Sequence, residues 1–152
     1  MTRILFVCLG NICRSPMAEF VMKDMVRRAG LEGQFHIESA ATSDEEYGNR
    51  VYPPVRRLLA RHGIDCSGKT ARQLTRADYN RYDFIIGMEE SNLRGMYRIC
   101  GGDPDGKMSL LLAHAGRSGG IADPWYTGNF DATWQDVQQG CAALLAELTD
   151  RL

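Results

Sequence analysis

The sequence predicts an α/β fold in which four parallel strands form a doubly wound sheet with helices on both faces. Two observations favour this fold class. Short apolar segments of strand length alternate along the chain with longer segments whose apolar residues recur at helical spacing. The segment 82–88 is apolar without alternation, which is typical of a parallel strand covered on both faces. With 152 residues the chain has the size of one domain, and we expect a single domain over residues 1–152.

Each element has a signal of its own. In chain order we predict a strand at 4–7, a helix from Ser15 to Gly30, a strand at 35–40, a helix with Val55, Leu58 and Leu59 that stops at His62-Gly63, a helix start at 75–78, a strand at 82–88, a helix opening at 89–93, a strand at 108–112 and a C-terminal helix. Ser15 is the expected N-cap of the first helix, with Pro16 at its first position. Thr133 is the expected N-cap of the last helix, with Asp136 completing a capping box. Residues 113–122, rich in Ala and Gly, are expected to form a flexible link.

The first strand is joined to the first helix by the segment Cys8-Leu9-Gly10-Asn11-Ile12-Cys13-Arg14-Ser15. A strand that enters a helix through a tight turn leaves main-chain N–H groups unpaired, and the helix dipole adds positive potential there. Such a nest of amides binds an anion. Gly10 can take positive φ without strain, and Asn11 is of a residue type that tolerates the left-handed region. The segment therefore predicts an oxyanion site, with phosphate as the expected guest.

Cys8 and Arg14 give this loop its predicted chemistry. The planar guanidinium of Arg14 can bind two phosphate oxygens together. Cys8 ends the strand at the floor of the loop, where the helix dipole and Arg14 favour the thiolate and the Ser15 hydroxyl can donate to the sulfur. A thiolate beneath a phosphoryl group is a nucleophile directed at phosphorus. Since a proton donor accelerates the departure of an ester oxygen, Asp123, held in extended geometry before Pro124, is the candidate acid.

Two stretches resemble the low-molecular-weight protein tyrosine phosphatase family, namely Cys8 to Pro16 and Asp123-Pro124-Trp125-Tyr126. The resemblance covers essentially the whole chain and implies a flavodoxin-like sheet of the phosphotyrosine phosphatase I type. It implies hydrolysis of phosphotyrosine and small aryl phosphates through a phosphocysteine on Cys8, with Asp123 as general acid and then general base. The implied phosphate-binding residues are Leu9, Gly10, Asn11, Ile12, Cys13 and Arg14. No metal ion and no cofactor are expected, because the loop amides and Arg14 supply the positive charge.

The resemblance also implies residues that support the loop. Asn11, Ser15 and Ser39 correspond to positions whose side chains brace the loop through hydrogen bonds. Glu89 stands where the family commonly has an aspartate that orients the arginine, so a salt bridge with a longer side chain is expected. Lys69 stands where relatives often carry a histidine of this network. Because a lysine cannot accept a hydrogen bond, that part of the network must differ here.

The expected substrate pocket lies above the loop. Its predicted walls are Leu9, Ile12, Glu45, Tyr47, Trp125 and Tyr126. The two neighbouring aromatic residues offer flat apolar surface to an aromatic leaving group. Relatives often have an aromatic residue where Glu45 stands, and Tyr47 is the residue that could fold over the pocket instead. Glu45 would then either disfavour acidic peptides or point to solvent, and the sequence leaves both alternatives open.

Cys13 has a structural and a redox interpretation. It can be a small buried apolar residue at the start of the helix. The resemblance implies that it forms a reversible disulfide with Cys8 under oxidation and so protects the nucleophile. The spacing of the two cysteines permits this bridge without demonstrating it.

Three alternative functions remain open. Relatives that remove phosphate from arginine tend to have a small polar residue where this chain has Ile12, whose bulk favours a flat aromatic ring. Arsenate reductases share the loop but need two further cysteines near the site, whereas segment 82–89 has none and Cys66 and Cys100 are far apart in sequence. A silent anion-binding module would leave the complete set of nucleophile, arginine and acid unexplained.

Composition limits the expected partners and location. A net charge of −1 with scattered basic residues predicts neither a nucleic-acid nor a membrane surface. No opening segment resembles a signal peptide, and five cysteines without dense spacing indicate a reducing cytoplasm. There is no Cys-x2-Cys pair and no His cluster, so no metal site is expected. We expect a cytoplasmic monomer whose partners are phosphotyrosine proteins, inorganic phosphate and oxyanion inhibitors.

Overall fold

The computed structural model of the protein, which describes residues 1–151, contains a sheet of four parallel strands. In chain order the strands are β1 (Thr2–Cys8), β2 (Phe35–Ala41), β3 (Phe84–Gly87) and β4 (Met108–Leu110). Their spatial order is β2-β1-β3-β4, so β1 lies inside the sheet. Cys8, the last residue of β1, pairs with Ala41. This places the predicted nucleophile at the carboxyl edge of a parallel sheet, where ligands bind in such folds.

Helices cover both faces of the sheet, which confirms the predicted fold class. The α-helices are α1 (Arg14–Arg28), α2 (Pro53–Arg61), α3 (Asp78–Arg81), α4 (Glu90–Cys100), α5 (Pro124–Thr127) and α6 (Phe130–Thr149). Ile4 and Phe6 of β1 belong to the apolar core formed with α1, α2 and α6. Leu5 and Val7, on the opposite face, belong to the core formed with α3 and α4. Within residues 1–151 no helix combines the length and the apolar character needed to cross a membrane.

The start of α1 differs from the prediction. The helix begins at Arg14 with Cys13 as its N-cap, and no side chain caps it. Ser15 therefore lies inside the first turn, and Pro16 is the third helical residue. The predicted cap is wrong because the Ser15 hydroxyl lies in the interior, within 3.0 Å of the Cys8 sulfur, and is not available to the helix end.

The start of α6 also differs. The N-cap is Asn129, whose Oδ1 accepts a hydrogen bond of 3.0 Å from the N–H of Ala132. Thr133, the predicted cap, lies one turn inside the helix, and its hydroxyl is 3.3 Å from the carbonyl oxygen of Ala122. The threonine thus links α6 to the segment that carries the candidate acid.

The region after β4 is more regular than the sequence indicates. The strand ends at Leu110, and residues Leu111–Ala115 form a 3₁₀ helix where the prediction extends the strand and then places a link. Leu111 is fully buried beneath α6, against the backbone of Gly140, where an added Cβ would lie 2.5 Å from Leu111 Cγ. A residue expected in the strand therefore packs against α6 instead.

Candidate active site

The loop between β1 and α1 agrees with the predicted backbone at Asn11 and differs from it at Gly10. Asn11 has a φ of 60°, the left-handed region expected for this residue. Gly10 does not take positive φ, so that expectation is not met. A Cβ added at Gly10 would meet Glu46 Cγ at 3.4 Å and Ile12 Cγ1 at 3.8 Å, which are ordinary contact distances. The left-handed turn of the loop therefore depends on Asn11.

Cys8 lies at the floor of this loop and is 3% exposed. Its sulfur accepts a hydrogen bond of 3.3 Å from the main-chain N–H of Asn11. The Ser15 hydroxyl lies 3.0 Å from the same sulfur. Two hydrogen-bonding groups therefore converge on the sulfur of the candidate nucleophile.

Asn11 fixes which way the surrounding hydroxyl groups donate. Its Nδ2 donates to Ser15 Oγ at 2.8 Å and to Ser39 Oγ at 2.9 Å, while its Oδ1 accepts from the N–H of Arg72 at 3.2 Å. Each serine oxygen that accepts from Asn11 keeps a single proton to donate. For Ser15 the nearer acceptor is the Cys8 sulfur, because the competing carbonyl of Ala40 is 3.4 Å away. The network thus directs the Ser15 proton to the Cys8 sulfur.

A buried glutamate that the sequence analysis missed closes this network. Glu19 is 3% exposed, and its Oε1 accepts the Ser39 hydroxyl at 2.5 Å. Two ammonium groups lie beside it, Lys23 Nζ at 2.6 Å and Lys69 Nζ at 3.4 Å. Lys69 also donates to the carbonyl oxygen of Ser39 at 2.8 Å, so it contributes to the network as a donor and a charge. The available signal was an acidic residue one helical turn after Ser15, on the apolar face of α1.

Arg14 is held at Nη1 and contacts Asp123 through Nη2, whereas its Nε has no partner among the described residues. It is 1% exposed, and its Nη1 donates to the carbonyl oxygen of Ile121 at 2.9 Å and lies 3.0 Å from Glu89 Oε2. Its Nη2 lies 3.2 Å from Asp123 Oδ2. Its Nε has no hydrogen-bond partner among the described residues, although the atom is buried. Because Nε and Nη2 form one edge of the planar guanidinium, this edge is the one suited to two oxygens of an oxyanion.

Asp123 is placed by its own backbone as well as by Arg14. It has φ −78° and ψ 113°, the extended conformation expected before Pro124, and it is the N-cap of α5. Its Oδ1 accepts from the N–H of Trp125 at 3.0 Å. The other carboxylate oxygen faces Arg14 Nη2, so the candidate acid and the candidate phosphate ligand are in direct contact.

A close approach of two backbone segments sets the position of this acid. The N–H of Ile121 donates to the carbonyl oxygen of Met88 at 2.8 Å. Next to it, a Cβ at Gly120 would lie 2.6 Å from Glu89 Cβ and 2.8 Å from Glu89 Cα, distances that real side chains do not adopt. Only a glycine therefore lets the chain that leads to Asp123 pass this close to the end of β3.

The cleft above the loop has a volume of about 170 Å³. It is lined by Cys8, Leu9, Gly10, Ile12, Cys13, Arg14, Ser43, Glu45, Glu46, Asp123, Trp125 and Tyr126. Five of the six predicted wall residues are among them, but Tyr47 is not and is 73% exposed. Its N–H donates to Asp44 O and the next N–H, of Gly48, to Ala71 O, a turn that carries the ring away from the cleft. Glu46 takes a place in the wall that the sequence analysis did not assign.

Trp125 is supported by an aromatic residue that the sequence analysis also missed. The rings of Tyr52 and Trp125 have centroids 4.9 Å apart and are tilted by 56°. Tyr52 itself is tied to the loop, because its N–H donates to the carbonyl oxygen of Ile12 at 2.9 Å. The aromatic wall and the floor of the cleft are therefore connected.

Cys13 lines the cleft with a thiol that stays protonated at neutral pH. Burial raises the pKa of Cys13 to about 12, with further contributions from the negative charges of Cys8 and Asp123. It is 4% exposed. Because a protonated thiol is a poor nucleophile, Cys13 is not the candidate nucleophile of this cleft.

Comparison with known proteins gives the same assignment along the chain. Residues 3–152 match the family model described as low molecular weight phosphotyrosine protein phosphatase. A low molecular weight protein-tyrosine-phosphatase of Bacillus subtilis, YfkJ, is 37% identical over 150 residues, covering 97% of this chain and 96% of the relative. The human low molecular weight phosphotyrosine protein phosphatase is 39% identical over 154 residues, covering 93% of this chain and 92% of the relative.

Solved structures agree with these relatives. The crystal structure of YfkJ superposes with a TM-score of 0.96 over 99% of this chain and 96% of that chain. The crystal structure of a Drosophila arginine phosphatase, 29% identical, gives a TM-score of 0.89 over 97% of this chain and 98% of that chain. Because sequence, fold and extent all agree, the chain belongs to the low molecular weight phosphotyrosine protein phosphatase family.

Proposed function

We propose that this protein hydrolyses phosphotyrosine in proteins, and small aryl phosphates, through a phosphocysteine intermediate on Cys8. Arg14 and the amides of residues 9–14 hold the phosphoryl group, and Asp123 carries the proton. The observation that supports this most is the position of the Cys8 sulfur. It lies 3.0 Å from Ser15 Oγ on the floor of a cleft whose arginine keeps a buried Nε without a partner among the described residues.

In the first step the Cys8 thiolate attacks phosphorus, and the bond between phosphorus and the phenolic oxygen breaks. Asp123 gives its proton to the departing oxygen, so the leaving group is a neutral phenol. The remaining phosphoryl oxygens face the loop amides and the Nε–Nη2 edge of Arg14, which stabilise their charge. A phosphoryl oxygen that binds Arg14 Nη2 displaces Asp123 Oδ2 from this nitrogen. Asp123 Oδ2 is then free to hold the proton.

In the second step Asp123, now a carboxylate, takes a proton from a water molecule whose oxygen attacks phosphorus. The bond between sulfur and phosphorus breaks, which releases inorganic phosphate and the Cys8 thiolate. The Ser15 hydroxyl stabilises this thiolate as it leaves. Asp123 is then protonated again for the next cycle.

Phosphoarginine is the second candidate substrate, because the chain is similar to an arginine phosphatase of Drosophila. Ile12 lines the cleft with a bulky apolar side chain, which suits a flat aromatic ring better than a charged guanidinium. We therefore place phosphotyrosine first. The kcat/KM for phosphotyrosine should exceed that for phosphoarginine, and Ile12→Thr should narrow the ratio. A ratio below one in the unmodified protein would reverse the order of the two substrates.

Arsenate reduction is a weaker alternative. It requires further thiols close to the nucleophile to relay electrons. Of the described cysteines only Cys8 and Cys13 line the cleft, whereas Cys66, Cys100 and Cys141 are buried elsewhere.

We propose that Cys13 protects Cys8 from irreversible oxidation. Peroxide converts the Cys8 thiolate to a sulfenic acid, and the Cys13 sulfur then forms a disulfide with it as water leaves. The location of both thiols in one cleft supports this step. Peroxide inactivation should be reversed by thiol more completely in the unmodified protein than in Cys13→Ala, and equal recovery would contradict the protective role.

The wider setting is also part of the proposal. Residues 1–152 act as a single domain, in a cytoplasmic monomer that needs no metal ion and binds neither nucleic acid nor membrane. The five free thiols support a reducing compartment, and the net charge of −1 gives no polyanion-binding character. Size-exclusion chromatography tests the monomer, and activity in the presence of EDTA tests independence from metal.

The decisive experiment measures phosphate release from phosphotyrosine at mildly acidic pH with EDTA present. The unmodified protein should release phosphate, Cys8→Ser should not, and acid quenching should trap a phosphoenzyme only in the unmodified protein. Cys66→Ser, which changes a buried thiol outside the cleft, is the matched control and should keep the activity. Absence of release from the unmodified protein would contradict the proposal and lead next to phosphoarginine and then to arsenate with a thiol reductant.

A further inference from the structure

The mouth of the cleft carries acidic side chains that the proposed chemistry does not use. Glu45 and Glu46 are neighbours in sequence and both line the cleft. Glu45 is exposed and Glu46 is partly buried. Within residues 1–151 neither carboxylate forms an ion pair. Two unpaired negative charges therefore border a site built to receive a phosphate dianion.

The backbone of this acidic segment is fixed to the phosphate loop. The N–H of Thr42 donates to the carbonyl oxygen of Cys8 at 2.9 Å, and the N–H of Ser43 donates to that of Leu9 at 3.0 Å. The N–H of Glu45 donates to Ser43 Oγ at 3.1 Å. The backbone of the acidic segment is thus tied to the loop that carries the candidate nucleophile.

Glu46 is also held at its side chain. Its Oε2 accepts from Asn49 Nδ2 at 2.6 Å, and its Cγ lies 3.4 Å from the Cβ position of Gly10 in the loop. Its negative charge is close enough to raise the pKa of the Cys13 thiol, as a minor contribution beside burial. The negative charge of Glu46 therefore acts on a group inside the cleft.

No exposed positive charge among the described residues that line the cleft offsets these carboxylates. Among the described residues that line the cleft, Arg14 is the only cation, and it is 1% exposed and directed at the phosphoryl group. On the described lining of the cleft, the charges that a bound peptide meets and that the proposed chemistry does not use are therefore those of Glu45 and Glu46.

We propose that Glu45 and Glu46, named here the acidic rim, select phosphotyrosine sites that have lysine or arginine next to the phosphotyrosine. This inference rests on the proposed function and names the substrate class of the same site. Basic neighbours gain attraction to the two carboxylates, and acidic neighbours meet repulsion from them. Because the backbone of the rim is tied to the phosphate loop, its charges lie beside the cleft before a substrate binds.

The test compares three short peptides that differ only in the residues flanking phosphotyrosine, which are Lys, Gln or Glu. The kcat/KM for the Lys peptide should exceed that for the Glu peptide about three- to tenfold at low ionic strength, the range expected for two exposed charge pairs. The preference should decline as salt shortens the Debye length from about 10 Å at 0.1 M to about 3 Å at 1 M. In Glu45→Gln/Glu46→Gln the ratio should approach one.

The matched control is Glu32→Gln/Asp105→Asn, which removes the same charge from exposed residues outside the cleft and should keep the ratio. Hydrolysis of p-nitrophenyl phosphate, which has no flanking residues, is measured in parallel. Suppose that the unmodified protein cleaves this ester but cleaves the three peptides equally, or that the rim variant keeps the ratio between the Lys and Glu peptides. Either result would overturn the selection by the acidic rim and leave the proposed function standing. If neither the ester nor any peptide is cleaved, the proposed function is overturned, and the rim proposal with it.

Discussion

Glu89 Oε2 lies 3.0 Å from Arg14 Nη1, on a guanidinium whose Nε has no partner among the described residues. Glu89 is the N-cap residue of α4, so its backbone is fixed by the helix that follows β3. The carboxylate and the carbonyl oxygen of Ile121 together hold one end of the guanidinium. These two contacts orient Arg14 before any phosphate binds, and the carboxylate among them is that of a glutamate.

Glu89→Gln should weaken this orientation. The amide keeps the size of the side chain but not its charge, so we expect a raised KM for phosphotyrosine and a kcat/KM about tenfold lower, as for loss of one charged hydrogen bond. Steady-state kinetics and competitive inhibition by inorganic phosphate measure the effect. Glu90→Gln, at the exposed neighbouring position, is the control. Unchanged phosphate inhibition in Glu89→Gln would show that Glu89 does not position Arg14.

Asp123→Asn should remove the acid without moving it. Asparagine keeps an oxygen that can accept the N–H of Trp125, so α5 should keep its cap. We expect kcat for phosphotyrosine to fall about 10²- to 10⁴-fold, because the phenol then leaves without a proton. Aryl phosphates with more acidic phenols should lose less. The measurement is kcat against the acidity of the leaving phenol, and an equal loss for every phenol would reject Asp123 as the acid.

Glu19 and Lys69 should be coupled in stability. Lys69 is 12% exposed at its side chain, and burial lowers its pKa while Glu19 opposes that shift. Glu19→Gln should therefore lower the free energy of unfolding by about 2 to 4 kcal/mol, since it leaves a buried ammonium without its counter-charge. The added change Lys69→Met should recover about 1 kcal/mol or more. Urea unfolding measures both, and strictly additive effects would contradict the coupling.

Lys23→Met is the control for this pair. Its ammonium also contacts Glu19, at 2.6 Å, but its side chain is 43% exposed. Exposed pairs contribute at most about 1 kcal/mol, so this variant should lose far less stability than Glu19→Gln.

Buried thiols should make the protein sensitive to alkaline pH. Burial raises the pKa of Cys141 above its ordinary value of 9.0 and that of Cys13 to about 12. Between pH 9.0 and the raised pKa of each buried thiol, the unfolded chain loses the thiol proton while the folded chain keeps it. The free energy of unfolding therefore falls as pH rises above 9.0. In Cys141→Ala this fall should be shallower by about 1.4 kcal/mol per pH unit.

Urea unfolding in the presence of a reductant measures the free energy of unfolding at several pH values between about 7 and 11. Above pH 9.0 this free energy should fall roughly linearly with pH. Comparison of the variant with the unmodified protein cancels the contribution of Lys69, whose lowered pKa acts in the opposite direction. Identical slopes in both proteins would contradict the assignment to Cys141.

Local signals in the sequence predicted the parallel sheet, the loop and the extended Asp123, because each depends on neighbouring residues. Helix starts were predicted less well, since Ser15 and Thr133 have the residue types of caps but use their hydroxyl groups for contacts with distant segments. Hydroxyl groups that can cap a helix can equally bond to another element, and only the fold decides between the two.

The parts of the site that the sequence analysis missed depend on contacts between segments distant in the chain. Glu19 meets Ser39 and Lys69 only when α1, β2 and the chain after α2 are assembled. Tyr47 was predicted as a wall of the cleft, but it is exposed and does not line the cleft, whereas Glu46 does. Spacing along the chain carries no information on such placements.

Gly120 illustrates how a residue without chemistry can govern a reaction. Any side chain there would collide with Glu89. The collision would displace the segment that places the Ile121 carbonyl oxygen against Arg14 and Asp123 beside the cleft. If a library of single substitutions is selected for phosphatase activity, variants at this exposed glycine should be lost as completely as variants at Arg14. An inspection guided only by which residues touch phosphate would overlook it.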